Sequence, residues 1–140
     1  MKFLALTFFS YVIAMASAAA ADITITVQGI RNNTGKIAAL AFVKADGFPD
    51  RVALAKAQSQ VNARKGAVTL VLKNVPAGKV ALTILHDEDG DGKLKRNIIG
   101  IPQEGVGMTG KPLGNRAPKF EDAVTEINGN QKIDITLKYW

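Results

Sequence analysis

The residues with the clearest chemical capacity in this chain form a short acidic run, Asp87-Glu88-Asp89-Gly90-Asp91-Gly92. Aspartates at alternate places, followed by glycine, match the opening half of a calcium-binding loop. Alternate carboxylates in a tight coil can converge on one hard cation, and the glycine permits the sharp turn that brings the next carbonyl inward. The sequence therefore predicts a calcium site made of three carboxylates and one backbone carbonyl: Asp87, Asp89, Asp91 and Lys93.

The rear half of such a loop is missing. Its twelfth place should hold a glutamate that binds through both oxygens, and Ile98 stands there instead. Glu104, or a residue outside the loop, would have to supply those oxygens. The alternative is an ion-free Asp/Gly turn whose carboxylates pair with the bases that follow them, Lys93, Lys95 and Arg96. Each close carboxylate pair costs about 1 kcal/mol in water, and either a cation or these bases would relieve it.

The residues required for most hydrolytic chemistry are scarce. There is no cysteine, and His86 is the only histidine. A serine–histidine–acid triad could use only Ser59 outside the leader, and Ser59 lies in no nucleophile elbow. Acid pairs such as Glu104 and Glu121 occur in any chain with this many carboxylates. We therefore expect no enzyme, with a hydrolase using His86 and nearby carboxylates as the weaker alternative, and we expect His86 to be a strand-end residue hydrogen-bonded to the loop.

The first 21 residues have the three-part pattern of a secretory signal peptide. Lys2 precedes an apolar run, and a series of small residues ends before Asp22. The run is shorter than the nearly twenty apolar residues that cross a bilayer. The pattern predicts a cleaved leader over residues 1–21, a single domain over residues 22–140, a periplasmic or secreted location, and no stable membrane span after cleavage.

The chain is basic, with 18 lysines and arginines against 12 acidic residues. Removing Lys2 with the leader leaves 17 against 12, a net charge of +5. The basic residues are scattered, and no aromatic residues lie between them as stacking platforms for bases. A basic surface can bind nucleic acid or anionic lipid, but we interpret this one as a solvated surface and expect no nucleic-acid partner.

Alternation of apolar and polar residues predicts strands along the rest of the chain. Three turn sequences, at residues 32–35, 74–78 and 128–130, predict hairpins, because Asn-Gly and Pro-Ala-Gly favour tight turns. A short helix is expected from Asp50 to Ala57. The pattern indicates an all-β, antiparallel Ig-like β-sandwich of about seven strands with at most one short helix, and a closed barrel is the alternative. The predicted strands span 23–28, 36–43, 67–72, 80–85, 120–127 and 132–139.

A long segment from His86 to Lys119 interrupts the strands. It contains seven of the 13 glycines and three of the five prolines, and loops of this length in compact domains are usually functional or disordered. Its apolar residues indicate an ordered Asp/Gly-rich loop pinned to the sandwich. The expected anchors are Leu94, Ile98, Ile99, Ile101, Val106 and Met108.

Several stretches together resemble the bacterial domain of unknown function 2141 family. They are residues 75–79, 86–94, 100–105 and 118–123, with Gly35-Lys36-Ile37 and Gly47-Phe48-Pro49. The resemblance covers essentially the whole chain after the leader. It implies an exported single-domain protein with a transthyretin-like (prealbumin-like) sandwich, and it implies no catalytic residue. The family often has Asn-Gly-Asn-Gly where this chain has Asp89-Gly90-Asp91-Gly92, and the two aspartates favour a cation here. The family also often has an acidic residue soon after Leu94, where this chain has Lys95, and that difference disfavours a cation.

These observations predict a non-catalytic exported sandwich that binds or supports an envelope or extracellular component, with calcium in its loop. A carbohydrate- or peptide-recognition module is the alternative. Trp140, the only tryptophan, would then be a stacking platform, whereas a C-terminal anchor packed on the sandwich is the expected role.

Overall fold

The computed structural model describes residues 19–140, which form two β-sheets packed face to face. One-turn helix α1 (Phe120–Ala123) and a 3₁₀ turn (Val52–Leu54) complete the fold. The predicted all-β sandwich is confirmed, and the strands form two sheets rather than a barrel. Residues 1–18 of the predicted leader lie outside the described part of the chain. The strands are β1 (Ala21–Ile30), β2 (Lys36–Phe42), β3 (Ala57–Asn62), β4 (Gly66–Val75), β5 (Gly78–Asp87), β6 (Val106–Met108), β7 (Val124–Ile127) and β8 (Gln131–Thr136).

The first sheet has the strand order β4-β1-β8, and the second has the order β3-β2-β5-β6, with β7 also paired to β5. Strands β1 and β8 run parallel, while the other strand pairs in residues 19–140 are antiparallel. The sandwich is thus antiparallel as predicted, except at this one pair. A parallel pair requires a connection that leaves the sheet, and here all of β2 to β7 lies between its two strands along the chain.

The three predicted hairpins were wrong. The turns at residues 32–35, 74–78 and 128–130 each carry the chain from one sheet to the other, so β1 does not pair with β2, β4 does not pair with β5, and β7 does not pair with β8. Alternation shows which face of a strand is buried, but it does not identify the neighbouring strand. A turn inside a sheet and a crossing between sheets both need polar, glycine-rich residues, so their sequences look alike.

Two further local predictions were wrong. The segment predicted as a strand over residues 120–127 begins as α1 and becomes strand β7 only at Val124. The helix predicted from Asp50 to Ala57 is reduced to the 3₁₀ turn, after which β3 begins at Ala57. Strand β3 was not predicted because its sequence, Ala-Gln-Ser-Gln-Val-Asn, is mostly polar, although its alternation of partly buried and exposed residues has the period of a strand.

The main core lies between the sheets, and a second cluster covers the outer face of the second sheet. Leu40, Phe42, Leu85 and Val106 form that outer cluster. The Phe48 ring packs edge-on against the rings of Phe42 and Phe120, at centroid distances of 5.8 and 6.0 Å. Strand β2 is thus buried on both faces, as its unbroken apolar sequence indicates. Partly buried residues from the loops complete the second cluster: Ala38, Phe48, Val52, Ala55, Leu94, Leu113 and Phe120.

The long loop is only partly anchored as predicted. Val106 is buried within β6, and Leu94 packs against the second cluster. Ile98, Ile99 and Ile101 are exposed, however, with 103%, 74% and 37% of their surface accessible. The prediction that these isoleucines pin the loop was wrong, because hydrogen bonds of their own turn hold them away from the sheets. Within residues 19–140, no helix has the length and apolar character needed to span a membrane.

Candidate metal centre

The acidic loop (residues 87–93) begins where β5 leaves the second sheet. Asp87 is the last residue of β5 and pairs with Lys36 of β2. Gly35, with a positive φ of 73°, lies directly against the Asp87 backbone, and a Cβ atom at Gly35 would sit 2.0 Å from the Asp87 carbonyl oxygen. Only glycine allows this approach, so the β1–β2 connection fixes the starting point of the loop.

The structure brings the three predicted aspartates together. One carboxylate oxygen from each of Asp87, Asp89 and Asp91 lies within 4.8 Å of the other two. Calcium binds oxygen at about 2.3–2.6 Å, so two oxygens on opposite sides of one calcium ion would be separated by about 4.6–5.2 Å. The spacing of this aspartate triad therefore fits a calcium ion.

Hydrogen bonds within the loop hold the triad in this arrangement. The two carboxylate oxygens of Asp87 accept the N–H groups of Gly90 (3.0 Å) and Gly92 (2.9 Å). One oxygen of Asp89 accepts the Asp91 N–H, and one oxygen of Asp91 accepts the Lys93 N–H at 2.8 Å. A carboxylate has about four lone-pair sites, so each aspartate keeps acceptor capacity for a cation.

The triad is not neutralised by the basic residues that follow it. Within residues 19–140, no lysine or arginine lies within 4.0 Å of a carboxylate oxygen of the three aspartates. Arg96 pairs instead with Asp50 at 3.0 Å. Lys95 acts only at longer range, where its charge helps to lower the pKa of Asp89. The alternative in which each aspartate pairs with its own base does not describe this loop.

Two members of the triad differ in proton affinity. Partial burial, and then the neighbouring Asp89 and Asp91, raise the pKa of Asp87 despite the opposing hydrogen bond from Gly92 N–H. The Asp91 N–H, and then the hydrogen bond with Asp87, lower the pKa of Asp89. Of these two carboxylates, Asp87 therefore takes up a proton more readily than Asp89. A calcium ion would compete with that proton for the same oxygens.

Glu104 supports the loop rather than completing the ligand set. Its side chain is buried at 4% exposure. One carboxylate oxygen accepts the N–H groups of Glu88 (3.1 Å) and Asp89 (3.4 Å), and the other accepts the N–H of Lys95 at 3.1 Å. Burial raises the pKa of Glu104 and outweighs these hydrogen bonds. Of the two sources considered for the missing ligand oxygens, Glu104 is not one, because its carboxylate does not belong to the group that converges in the described residues and instead binds the backbone of Glu88, Asp89 and Lys95.

The fourth predicted ligand, Lys93, follows the triad directly. Its N–H group donates to Asp91, and the binding of a cation by its carbonyl remains a prediction. Ile98, in the place of the expected glutamate, projects into solvent and contributes nothing to the triad.

Glu88 belongs to the loop but takes no part in the triad. It ties the loop to the β1–β2 connection, and the sequence analysis did not predict this contact. Its carboxylate accepts hydrogen bonds from the Arg31 guanidinium and, at 2.9 Å, from the Asn32 amide. Burial alone would raise the pKa of Glu88, but the bonds from Asn32 and Arg31 and the Arg31 charge outweigh it and lower the pKa. No local signal could reveal these partners, which lie more than fifty residues earlier in the chain.

His86 is fully buried beside the loop, and both ring nitrogens have partners. Nε2 lies 2.7 Å from the Thr34 carbonyl oxygen, so it donates; Nδ1 lies 2.7 Å from the Tyr139 hydroxyl. His86 lies near the end of β5 as predicted, but its ring bonds to the β1–β2 connection and to Tyr139 rather than to the acidic loop, so that part of the prediction was wrong. The partly buried Ser59 lies on β3, and the nitrogens of His86 are not directed toward it.

Trp140 ends the chain at the rim of a groove of about 570 Å³ that also contains Ile99, Ile101 and Arg116. Its side chain is 42% exposed, and the Lys138 ammonium lies 4.8 Å from the ring centroid. The expectation of an anchor packed on the sandwich was wrong, because the preceding residue Tyr139 makes the buried contact with His86 and leaves Trp140 at the surface.

Comparison with known proteins identifies one family. The model of that family, described as an uncharacterized protein conserved in bacteria (DUF2141), matches residues 25–136. No curated protein and no solved structure matches the chain, and the transthyretin-like part of the expected resemblance therefore stays a prediction. The match begins within β1 and ends with β8, so it spans both sheets and the acidic loop. The chain belongs to the DUF2141 family of conserved bacterial proteins.

Proposed function

We propose that this protein is an exported, non-catalytic β-sandwich that binds calcium through the aspartate triad and the Lys93 carbonyl. One observation carries the proposal. Three carboxylates converge within 4.8 Å, and no basic side chain is paired with them in the described part of the chain. Bringing like charges this close is unfavourable in the absence of a counter-ion, and a divalent cation removes that cost.

The ligand set determines the strength and the role of the site. Without a bidentate glutamate it offers fewer oxygens than a complete calcium loop, so affinity in the range of weak extracellular modules, about 10⁻⁴–10⁻³ M, is expected. Such a site fills only where calcium is plentiful, which agrees with the signal-peptide pattern at the start of the sequence. An ion there would stiffen the long loop, and we propose that the loop then serves a binding or accessory role in the cell envelope.

The absence of catalysis is supported by the surroundings of His86. A general base needs a free nitrogen within reach of a substrate proton. Both nitrogens of His86 are engaged, with Thr34 and Tyr139, and the ring has no exposed surface.

The calcium proposal is tested with residues 22–140, the chain expected after cleavage of the leader. Thermal melting is followed by circular dichroism in EDTA, in calcium and in magnesium. Calcium at ten times its Kd should stabilise the fold by about 1.4 kcal/mol, or a rise in Tm of roughly 4 °C. Magnesium at the same concentration should have a smaller effect, because it demands shorter bonds and octahedral geometry.

Asp89→Asn should remove the calcium response, because it deletes one charged ligand while keeping an oxygen for the Asp91 N–H. Asp134→Asn is the matched control, since Asp134 is an exposed aspartate on β8 and its variant should keep the full response. A Tm that calcium leaves unchanged in the native chain, or that rises equally in the Asp89→Asn variant, would contradict the proposal.

A recognition module is the second candidate, and a groove of about 470 Å³ on the outer face of the second sheet favours it. Its floor is apolar, its rim carries the amides of Gln58 and Gln60, and it ends at Asp87 and Lys93. Amides and a partly coordinated cation are groups that bind sugar hydroxyls. Binding of soluble oligosaccharides that is lost in a Gln58→Ala/Gln60→Ala variant would support this candidate, and titration calorimetry is the measurement.

A further inference from the structure

A hairpin that follows the acidic loop projects isoleucine side chains into solvent. This apolar hairpin (residues 95–103) is closed by hydrogen bonds from Gln103 N–H to the Lys95 carbonyl (2.8 Å) and from Asn97 N–H to the Ile101 carbonyl (2.9 Å). Its tip is held by Gly100 N–H, which donates to the Asn97 carbonyl at 3.0 Å. The turn therefore has a defined shape.

The side chain of Asn97 fixes the tip further. Its Oδ1 accepts the N–H groups of Ile99 (3.0 Å) and Ile101 (2.9 Å). The turn thus satisfies its own backbone, while Ile98 and Ile99 point away from the protein with 103% and 74% of their surface accessible. Single exposed apolar residues are common, but a contiguous exposed group marks an interaction surface.

The chain from residue 93 onward is basic around this tip, whereas the four carboxylates of residues 87–91 precede it. Residues 93–119 contain six basic residues and a single acidic residue, the buried Glu104. Arg96 and Arg116 line the groove of about 570 Å³ beside Ile99, together with Trp140, and no carboxylate lines that groove. Arg116 also lines the adjoining groove with Lys111 and Lys119. Two of these charges are partly offset, since Arg96 pairs with Asp50 and Lys111 pairs with Asp122.

We propose that the apolar hairpin docks the protein on a membrane surface that carries anionic lipids. Ile98 and Ile99 would enter the boundary between headgroups and acyl chains, Trp140 would lie at the headgroup level, and the basic residues would face the lipid phosphates. Apolar side chains flanked by lysine and arginine, with tryptophan beside them, form the combination that binds bilayer interfaces. The charge surrounding the tip favours an anionic bilayer over a protein partner, which would need a complementary acidic pocket.

This inference rests on the hairpin and its basic neighbours and needs no calcium, although without calcium the unpaired triad before the hairpin lowers the attraction to anionic lipids. The experiment is performed in EDTA with residues 22–140, the chain expected after cleavage of the leader. Vesicles of phosphatidylglycerol and phosphatidylcholine in equal parts, and vesicles of phosphatidylcholine alone, are sedimented with the protein. We expect binding to the anionic vesicles, weakened by 0.5 M salt, and little binding to the neutral ones. Fluorescence of Trp140, the only tryptophan, should shift to the blue when anionic vesicles are added.

The double variant Ile98→Asp/Ile99→Asp should lower the vesicle partition coefficient about tenfold or more, because two apolar side chains no longer enter the interface. Val71→Asp is the matched control, since Val71 is an exposed apolar residue on β4 of the other sheet, and it should bind as the native chain does. Equal circular dichroism melts verify that both variants fold.

Three results would overturn the proposal. The first is that the native chain fails to sediment with anionic vesicles. The second is that the double variant binds anionic vesicles as strongly as the native chain does, or that the native chain binds neutral vesicles as strongly as anionic ones. The third comes from analytical ultracentrifugation: a dimer formed by the native chain and lost in the double variant would mean that a second copy of the chain covers the hairpin.

Discussion

The carboxylate of Glu104 holds the two ends of the acidic loop together. It accepts N–H groups from Glu88 and Asp89 on one side and from Lys95 on the other. A glutamine at this position has one acceptor oxygen, and its NH₂ group would face a backbone donor. Glu104→Gln should therefore release one end of the loop and reduce the free energy of unfolding by about 1–3 kcal/mol. Urea denaturation in EDTA measures this loss.

Glu126→Gln is the control for that experiment, because Glu126 is an exposed residue of β7 and its charge supports no loop. The Glu104→Gln variant should also bind calcium more weakly, since a loosened loop no longer holds the triad in place. Stability equal to that of the Glu126→Gln variant would show that Glu104 does not hold the loop.

At the level of single residues, sequence reasoning found the triad but not its support. The spacing of Asp87, Asp89 and Asp91 is local, and the convergence of their side chains depends only on a tight coil and two glycines. The roles of Glu104 and Arg31 depend on which segments meet in space. A buried carboxylate bound to three backbone N–H groups has the same sequence signal as an exposed one.

At the level of elements, the sequence indicated which residues are strands and which face is buried, but not which strands are neighbours. Strand β8 shows the reason. Its alternation is regular, and Ile135 is buried as expected, yet its partner is the first strand of the chain rather than β7. Which strands pair depends on how the three-stranded and five-stranded sheets pack against each other. A short segment of sequence cannot show this, because the two partners lie at opposite ends of the chain.

Gly35 marks the contact between two elements, the β1–β2 connection and the end of β5. Its φ of 73° is unfavourable for any residue with a side chain, and a Cβ atom would also meet the Asp87 carbonyl at 2.0 Å. Gly35→Ala should thus combine backbone strain of about 1–2 kcal/mol with a steric clash of about 1–3 kcal/mol. We expect a total loss of about 3 kcal/mol or more, measured by urea denaturation in EDTA.

Gly90→Ala provides a matched comparison. Gly90 has a φ of 72°, and nothing lies within 4 Å of a Cβ atom built there. Its variant should show the strain without the clash, so the difference between the two variants isolates the contact with Asp87. If both variants lost the same free energy of unfolding, the β1–β2 connection would have moved aside and relieved the clash at Gly35.

At the scale of the whole molecule, one hydrogen-bonded chain links the two sheets. Tyr139 follows the last strand of the first sheet, and His86 lies on the central β5 of the second. The Tyr139 hydroxyl lies 2.7 Å from His86 Nδ1 and accepts the Arg31 N–H at 3.3 Å, while His86 Nε2 donates to the Thr34 carbonyl. Because Nε2 carries the proton in the neutral ring, Nδ1 accepts the proton of the tyrosine hydroxyl. The Arg31 guanidinium also lies 4.5 Å from the centroid of the Tyr139 ring.

Tyr139→Phe should test whether this link stabilises the sandwich as a unit. The change removes only the hydroxyl and leaves His86 Nδ1 without a partner at a position that water does not reach. An unsatisfied buried acceptor costs about 1–3 kcal/mol, so the Tm should fall by roughly 4–8 °C or more. Trp140→Phe is the control, since Trp140 is the adjacent aromatic residue and is exposed. Circular dichroism melts of both variants provide the measurement. If the Tyr139→Phe variant melted with the control, the Tyr139–His86 bond would add nothing to the stability of the sandwich, and the apolar core and the backbone bonds between Val106 and Lys138 would be enough to hold the two sheets together.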